Sequence, residues 1–319
     1  MKEDEIELSI REDLGGTRLD YALAVMLPDY SRARIQDWIR SGRIHLERHA
    51  CRPRDRVSGG EHVVIRPDFP RDERWQGEDI PLDIVYADDH ILVVNKPAGL
   101  VVHPAPGNRE GTLVNALIHY DEGLAAIPRA GVVHRLDKDT SGLMVVARSP
   151  GAHLSLVAQL KQRTVGREYQ AVAVGVMTAG GTVDAPVGRH PSRRVAMAVV
   201  ARGRPAVTRY RVVARFRAHS HVRLRLDTGR THQIRVHMAH IGYPLVGDPL
   251  YGKRLHIPKG CPAELEHALR GFDRQALHAR RLALVHPESG EELAWEVPPP
   301  ADFRLLLEAL ARDGAAPAP

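Results

Sequence analysis

Between Arg66 and Pro81 the chain reads RPDFPRDERWQGEDIP, a run of Pro, Asp, Glu, Arg and Gly with no apolar period. Such a stretch supports neither a buried helical stripe nor a strand, so it reads as a linker and divides the chain into unequal parts. A small front module, residues 1–75 with the start of the linker, is expected before a larger domain at 76–311. With 319 residues there is room for both to bury a core. The last residues, Asp313-Gly-Ala-Ala-Pro-Ala-Pro319, have nothing to bury, and a disordered tail is expected over 312–319.

In the front module Thr17 can cap a helix running through Leu19, Leu23, Met26 and Leu27 and stopping at Pro28. A second helix is expected from Ser31, with Ile35, Trp38 and Ile39 on one stripe and Gly42 at a left-handed C-terminal cap. Strands are expected at Ile44–Leu46 and His62–Ile65. Arg32, Arg34 and Arg40 lie off the apolar stripe, with Arg18 and Arg43 close in sequence. They form either a nucleic-acid face or an ordinary solvated helix surface.

Beyond the linker, strand-like segments (Ile84–Tyr86, Ile91–Asn95, Leu143–Ala147, Tyr169–Val174, Thr208–Val213, His221–Leu226) are interspersed with helical ones (Thr112–His119, Ala152–Gln162, Thr231–Ile241). The order is that of a mixed α+β domain, not a regular doubly wound one. No apolar run approaches membrane length, and the acidic start MKEDEIELSIRED is neither a secretory signal nor a transit peptide. A cytoplasmic protein without membrane contact is expected. The cysteines, Cys51 and Cys261, show no spacing suited to a disulfide framework, a zinc knuckle or an iron–sulfur cluster.

Lys and Arg together number 45 against 39 Asp and Glu, a net charge of +6 that suits a polyanionic partner. The cations are nearly all arginine, with lysine only at positions 2, 96, 138, 161, 253 and 259. Arginine forks onto phosphate and stacks on bases, although a GC-rich genome produces the same bias.

Three polar clusters interrupt the apolar strands. In the first, Gly131 to Gly142, Asp137 is wedged between Arg135 and Lys138 just ahead of the strand LMVVA. Nearby cations favour a charged carboxylate, which is either a nucleophile or, with Asp139, a turn residue bonding the backbone. The second, GREYQAV at 166–172, carries Tyr169, which either stacks on a planar ligand or fills the core. The third, DTGRTHQIRVHM at 227–238, has Gly229 ending a strand and Thr231 opening a helix. Its His232 and His237, with His240 beyond, lack the one-face pair and glutamate of a zinc helix, so no metal is expected. No phosphate loop and no dinucleotide glycine fingerprint occurs, so no nucleotide cofactor is expected.

HRLDKDTSGLMVVA at 134–147, REYQAV at 167–172 and TGRTHQIRVHMAHIGYPLVGD at 228–248 closely resemble the signature motifs of the RluA-type family of RNA pseudouridine synthases. TRLDYAL at 17–23 and SRARIQDWIRSGRI at 31–44 resemble the S4 RNA-binding domain that precedes the catalytic domain in some members. PLDIVYADDHILVVNKPAGLVVHPAPGN (81–108), TAGGTVDAPVGRHPSRR (178–194) and KGCPAELEHALRGFDRQALHA (259–279) point to a branch acting on large-subunit ribosomal RNA. Where S4 domains commonly turn on Asn-Gly, this chain has Glu47-Arg48-His49, a departure affecting that hairpin and its RNA contacts.

The resemblance implies a small S4 domain followed by a catalytic domain built on a mixed, largely antiparallel sheet. The reaction breaks the N1–C1′ bond of a uridine flipped out of its stack, turns the uracil and rejoins it through C5, with no redox change or energy input. Asp137 is then the essential carboxylate, which attacks C1′, adds to the ring or removes the C2′ proton. Arg235 pairs with Asp137, Tyr169 stacks on the base and assists loss of the C5 proton, Ile234 walls the pocket, and Arg135 fills the space the base vacates. Arg18, Arg32, Arg34, Arg40 and Arg43 are the RNA-binding candidates of the front domain. Lys96, His103 and Arg230 are held as RNA or structural contacts. The expected substrate is 23S rRNA or a large-subunit precursor, at the helix 69 stem-loop, and the expected form is a cofactor-free monomer. The competing reading is a noncatalytic RNA-binding assembly factor on the same scaffold. A glycoside hydrolase ranks below both, because Asp139 has no match as its second acid.

Overall fold

The computed structural model describes residues 6–27, 32–47, 49–66, 75–104, 108–193, 195–252 and 255–315, with the side chains at 33, 34, 314 and 315 also outside the description. Two compact units share the chain, residues 1–73 and 74–319.

The first unit comprises β1 (Ile6–Ser9), α1 (Leu19–Met26), α2 (Arg32–Arg40), β2 (Ile44–Leu46), β3 (His49–Ala50) and β4 (His62–Ile65). The strands form an antiparallel sheet in the order β1-β4-β2-β3. Leu19 and Leu23 of α1 meet Ile35, Trp38 and Ile39 of α2 over Ile44, Val63 and Ile65, so the helical stripe and strand alternation close a small core. Gly42 takes φ 70° after α2, a left-handed conformation that glycine adopts at little cost. Glu47 also takes a positive φ, 50°, and its hairpin still pairs Leu46 with His49; Arg48 lies outside the described residues.

Thr17 does not cap α1. Its hydroxyl donates to Leu14 O at 2.6 Å, and Arg18 occupies the N-cap position without a side-chain bond. Pro28 and Ser31, the expected helix end and helix start, lie outside the described residues.

The second unit contains β5 (Ile84–Ala87), β6 (Ile91–Lys96), α3 (Leu113–Tyr120), β7 (Ser141–Ala147), α4 (Pro150–Gln162), β8 (Gly166–Val174), β9 (Gly181–Asp184), β10 (Val187–Arg189), β11 (Met197–Val199), β12 (Val207–Arg215), β13 (His219–Leu226), α5 (Gln233–His240), α6 (Ala263–Gly271), β14 (Leu277–Val285), β15 (Glu292–Glu296) and α7 (Ala301–Ala315). One sheet runs β5-β6-β7-β14-β8-β13-β12-β9, with β15 added to β14. Its pairings are antiparallel except β7 with β14. The fold is therefore mixed α and β with a mostly antiparallel sheet.

β7 is buried at every position because it is covered on both faces. Met144 and Val146 face α3 residues such as Leu113 and Leu117, whereas Leu143 and Val145 face Ala152 and Leu156 of α4. Gly142 makes the β7–β14 contact possible, since a Cβ there would sit 2.2 Å from Ala279 O and its φ is 116°.

Two expected boundaries shift. α5 begins at Gln233, with His232 rather than Thr231 at its N-cap and in left-handed conformation (φ 56°). The expected tail from 312 is also corrected: α7 continues to Ala315, and buried Asp313 accepts from Arg217 Nη2 at 2.8 Å and Nε at 3.1 Å. Residues 316–319 lie outside the description. Among the described residues no helix is long and apolar enough to cross a membrane.

Candidate active site

Asp137 sits in the loop that leads into β7, and side chains from distant parts of the chain hold that loop. Lys96 Nζ donates to Lys138 O at 2.8 Å and to the carbonyls of Pro97 and Leu100 at 2.7 and 2.9 Å. These acceptors match the three donors of an ammonium. Burial, partly offset by Asp139 and Asp137, lowers the Lys96 pKa to about 7. Arg274 Nη1 donates to Asp139 O at 3.2 Å while its other guanidinium edge is forked onto Asp302, and Gln275 Nε2 donates to Thr140 Oγ1 at 3.0 Å. The Thr140 amide returns to Asp137 O at 3.1 Å, completing a tight turn around the carboxylate.

The opposite wall is the N-terminal turn of α5, anchored by Gln233. Its Oε1 accepts from Thr228 Oγ1 (2.8 Å) and the Arg230 amide (3.0 Å), and its Nε2 donates to Val207 O and Thr208 Oγ1, both at 3.0 Å. Arg235 follows within the same turn. Its Nε and Nη2 donate to the two oxygens of Asp248 at 2.7 and 2.9 Å, and its Nη1 reaches Asp137 Oδ2 at 3.1 Å. Asp248 also accepts from the amides of Leu250 and Tyr251 at 2.9 and 3.0 Å. Burial works against its charge, but the Arg235 bonds and these amides outweigh it and hold the carboxyl below the usual carboxylate range. Both carboxylates in turn raise the Arg235 pKa against burial.

Tyr251 stacks its ring 5.0 Å from the Arg235 guanidinium and shares a 2.7 Å hydrogen bond with His232 Nδ1. His232 Nε2 lies 3.8 Å from Asp137 Oδ1.

Asp137, Tyr169, Arg235, Arg135 and Ile234 all line one cavity of about 690 Å³, within the range of small-ligand sites. Tyr169 is 6 % exposed, burial raises its pKa, and among the described residues its hydroxyl has no hydrogen-bond partner. Arg135 is exposed at the rim and Ile234 is buried in the wall. His103 and Arg230 also border the cavity. Burial, with Arg129 and Arg135 nearby, lowers the His103 pKa to about 4.

His232, His237 and His240 do not form one ligand set: His237 bonds Thr208 Oγ1 and Ala185 O, each at 2.9 Å, in the core, whereas His240 is exposed. Among the described residues no His, Cys, Asp and Glu group is arranged to hold a metal.

In the first unit, Arg18 and Arg32 both donate to Asp20, which is fully buried. Burial opposes its charge, yet Arg32, Gln36 and Arg18 bring its pKa to about 2. Arg40 pairs with Asp37 at 2.8 Å. The Arg34 side chain lies outside the described residues.

Sequence reasoning passed over Asp248, Gln233 and Arg167. Asp248 lies at the end of the third motif, and its role depends on the chain folding back 13 residues onto Arg235. Arg167 is buried at the cavity wall with an Nε lacking a partner among the described residues, packed so that a Cβ on Gly229 would lie 2.7 Å from its Nη1.

A clamped carboxylate, a buried arginine and an unpartnered tyrosine in one cavity on this sheet, in a chain that also contains a small helix–strand module, mark an RNA-modifying enzyme; the chain belongs to the RNA pseudouridylate synthase family, whose model matches residues 90–240. An S4 domain matches residues 17–63. The chain is 55 % identical over 301 residues to ribosomal large subunit pseudouridine synthase D of Pseudomonas aeruginosa, covering 94 % of each chain. It is 54 % identical to the protein of the same name from Escherichia coli strain K12, over 97 % of this chain and 95 % of that one. Among solved structures it resembles human RNA pseudouridylate synthase domain containing 4, with TM-score 0.56 and 29 % identity over 72 % of this chain and 92 % of that one.

Proposed function

We propose that the protein converts uridine to pseudouridine in 23S rRNA of the large ribosomal subunit or its precursor, at the helix 69 stem-loop. The observation carrying the chemistry is the 3.1 Å pair between Arg235 Nη1 and Asp137 Oδ2 inside a cavity that also presents Tyr169. The target names carried by relatives at 54–55 % identity support the choice of RNA.

The flipped uridine enters the cavity and its ring stacks on Tyr169. Asp137 is the reacting carboxylate; attack at C1′, addition to the ring and removal of the C2′ proton all start from its oxygens, which Arg235 orients. The N1–C1′ bond breaks, the C5–C1′ bond forms, C5 loses a proton and N1 gains one, so the reaction is an isomerisation. Ile234 supports the base from the wall, and Arg135, at the rim, occupies the stack the base leaves. Arg18, Arg32, Arg34, Arg40 and Arg43 of the front domain contact RNA phosphates, with Arg18 and Arg32 pre-ordered by Asp20. The enzyme works in the cytoplasm as a monomer and needs no cofactor.

A noncatalytic RNA-binding scaffold is the weaker reading, since it has no use for the Asp137–Arg235–Asp248 chain of charges. The test maps pseudouridine in 23S rRNA from cells with and without the gene. Loss at the helix 69 uridines is expected on deletion, and an unchanged 23S map would refute the substrate.

A further inference from the structure

The sheet has a second face that the cavity does not use. Along β13, Val222, Leu224 and Leu226 point into the core with Tyr169 and Ile234, whereas His221, Arg223 and Arg225 occupy the other side. Register places Arg211 of β12 directly opposite Arg223, and Arg209 opposite Arg225. Gln170 and Glu168 of β8 continue the face, and Arg281 of β14 stands opposite Glu168. Arg280, in the β14 bulge, borders a shallow depression with Gln170 and Arg223. Helices α6 and α7 cover Val172 at one end of this face, but Arg209, Arg211 and Arg225 are exposed.

Like charges placed directly opposite one another weaken a sheet, so adjacent Arg–Arg pairs bring the fold no benefit. Acidic neighbours compensate only some of them. Asp227 accepts from Arg209 at 2.9 Å, Glu296 pairs with Arg280, and Glu168 lies 3.7 Å from both Arg280 and Arg281. Among the described residues Arg211, Arg223 and Arg225 have no ion-pair or hydrogen-bond partner. The crowding is felt by their neighbours: burial together with Arg223 and Arg280 brings the His221 pKa to about 4. Burial and the surrounding arginines also lower that of Arg280 despite Glu168.

We infer that this arginine face is a second RNA-binding surface, gripping the phosphate backbone of a large-subunit rRNA segment away from the flipped uridine. The inference rests on the rRNA reading above and adds a site remote from the catalytic cavity. Guanidinium forks held in rows by a rigid sheet suit successive phosphates, and the repulsion that strains the free sheet is relieved when phosphates sit between them.

The test compares the full chain with the Arg211→Gln/Arg223→Gln/Arg225→Gln variant on two probes: a long large-subunit rRNA transcript containing the target stem-loop, and that stem-loop alone. The variant is expected to bind the long transcript about tenfold more weakly or worse near 0.1 M salt, with a salt slope lower by about 2–3. Its affinity for the isolated stem-loop and its rate on it should stay within about twofold of the unmodified chain. Arg211→Glu separates binding from folding: it creates an Arg–Glu pair with Arg223, so the melting temperature should hold or rise while long-RNA binding falls. A folded triple variant that binds the long transcript with unchanged affinity and slope would overturn the inference and leave the face to an acidic protein or to solvent. Equal losses on both probes would overturn it too, by placing the arginines on the cavity's own RNA path. Failure of the unmodified chain to form pseudouridine would instead defeat the functional reading, and the binding comparison would still decide this one.

Discussion

The guanidinium of Arg235 is held by Asp248 more firmly than by Asp137: Asp248 takes two of its hydrogen bonds, at 2.7 and 2.9 Å, whereas Asp137 takes one at 3.1 Å. Asp248, fully buried at its side chain, thus fixes the arginine so that one nitrogen remains for Asp137. Asp248→Asn keeps the shape but removes the charge. It should destabilise the fold by about 3 kcal/mol, as breaking a buried pair does. The rate should fall about a hundredfold through loss of positioning, with KM little changed. Single-turnover kinetics beside urea unfolding would check this, and a normal rate in the folded variant would remove Asp248 from the positioning role.

Asp137→Asn should abolish pseudouridine formation, a loss of more than about a thousandfold. Arg235 keeps Asp248, so stability should change by about 1 kcal/mol or less, and RNA binding should persist. Measurable multiple-turnover product from pure Asp137→Asn protein would contradict the assignment.

Tyr169→Phe retains the ring and should bind RNA as the unmodified protein does. Tyr169→Ala should weaken binding by about 1–3 kcal/mol, the usual worth of one stacked base. Because Tyr169 also belongs to the core, both variants need melting curves beside the binding measurement. Equal affinities in folded proteins would show that stacking is not its contribution.

Much of this was legible in the sequence where burial is uniform or strictly alternating. β7 reads as an apolar run because both faces are covered, and β13 alternates because one is not. β14 was missed although it lies inside the sheet. A bulge between Ala279 and Arg281 breaks its alternation, and His278 and neighbouring arginines disguise it as polar chain. The motifs singled out Asp137, Tyr169 and Arg235, which the fold brings to one cavity, but Asp248 and Gln233 matter only through contacts that folding creates. Asp313 misled for the same reason: Gly, Ala and Pro after it suggest a tail, whereas its burial depends on Arg217, 96 residues away.

Acid should destabilise the fold through buried histidines. His278 is 1 % exposed, bonded at Nδ1 to Ser141 Oγ (3.0 Å) and at Nε2 to Val297 O (3.3 Å); burial is the main cause that brings its pKa to about 4. His219, also 1 % exposed, has no partner for either ring nitrogen among the described residues, and burial again brings its pKa to about 4. An unfolded histidine titrates near 6.5, so between about 6.5 and 4 the unfolded chain binds more protons and stability falls as pH falls. Each group contributes up to about 1.4 kcal/mol per pH unit in that window. Urea midpoints at pH 7, 6 and 5 would measure the slope, and His219→Phe should flatten it. Parallel slopes for the two proteins would exclude His219 as a source.

Removing residues 1–73 separates capture of RNA from chemistry. The second unit has its own core, contains the cavity and all the residues that line it, and should stay folded without the first. Arg18 and Arg32 are ordered by buried Asp20, which cancels part of their charge; on the proposed reading this order presets them for phosphate. Their loss, with that of Arg40 and Arg43, should lower affinity for long rRNA and flatten its salt dependence by about 1 for each phosphate contact removed. Turnover of a saturating short stem-loop should survive within a few-fold, because no residue assigned to the chemistry is deleted. Titrations of the truncated and full chains against both RNAs at several salt concentrations would decide the matter. A truncated protein that is folded by circular dichroism yet binds long rRNA with the full chain's affinity and slope would show that the arginines of the first unit are ordinary solvated surface.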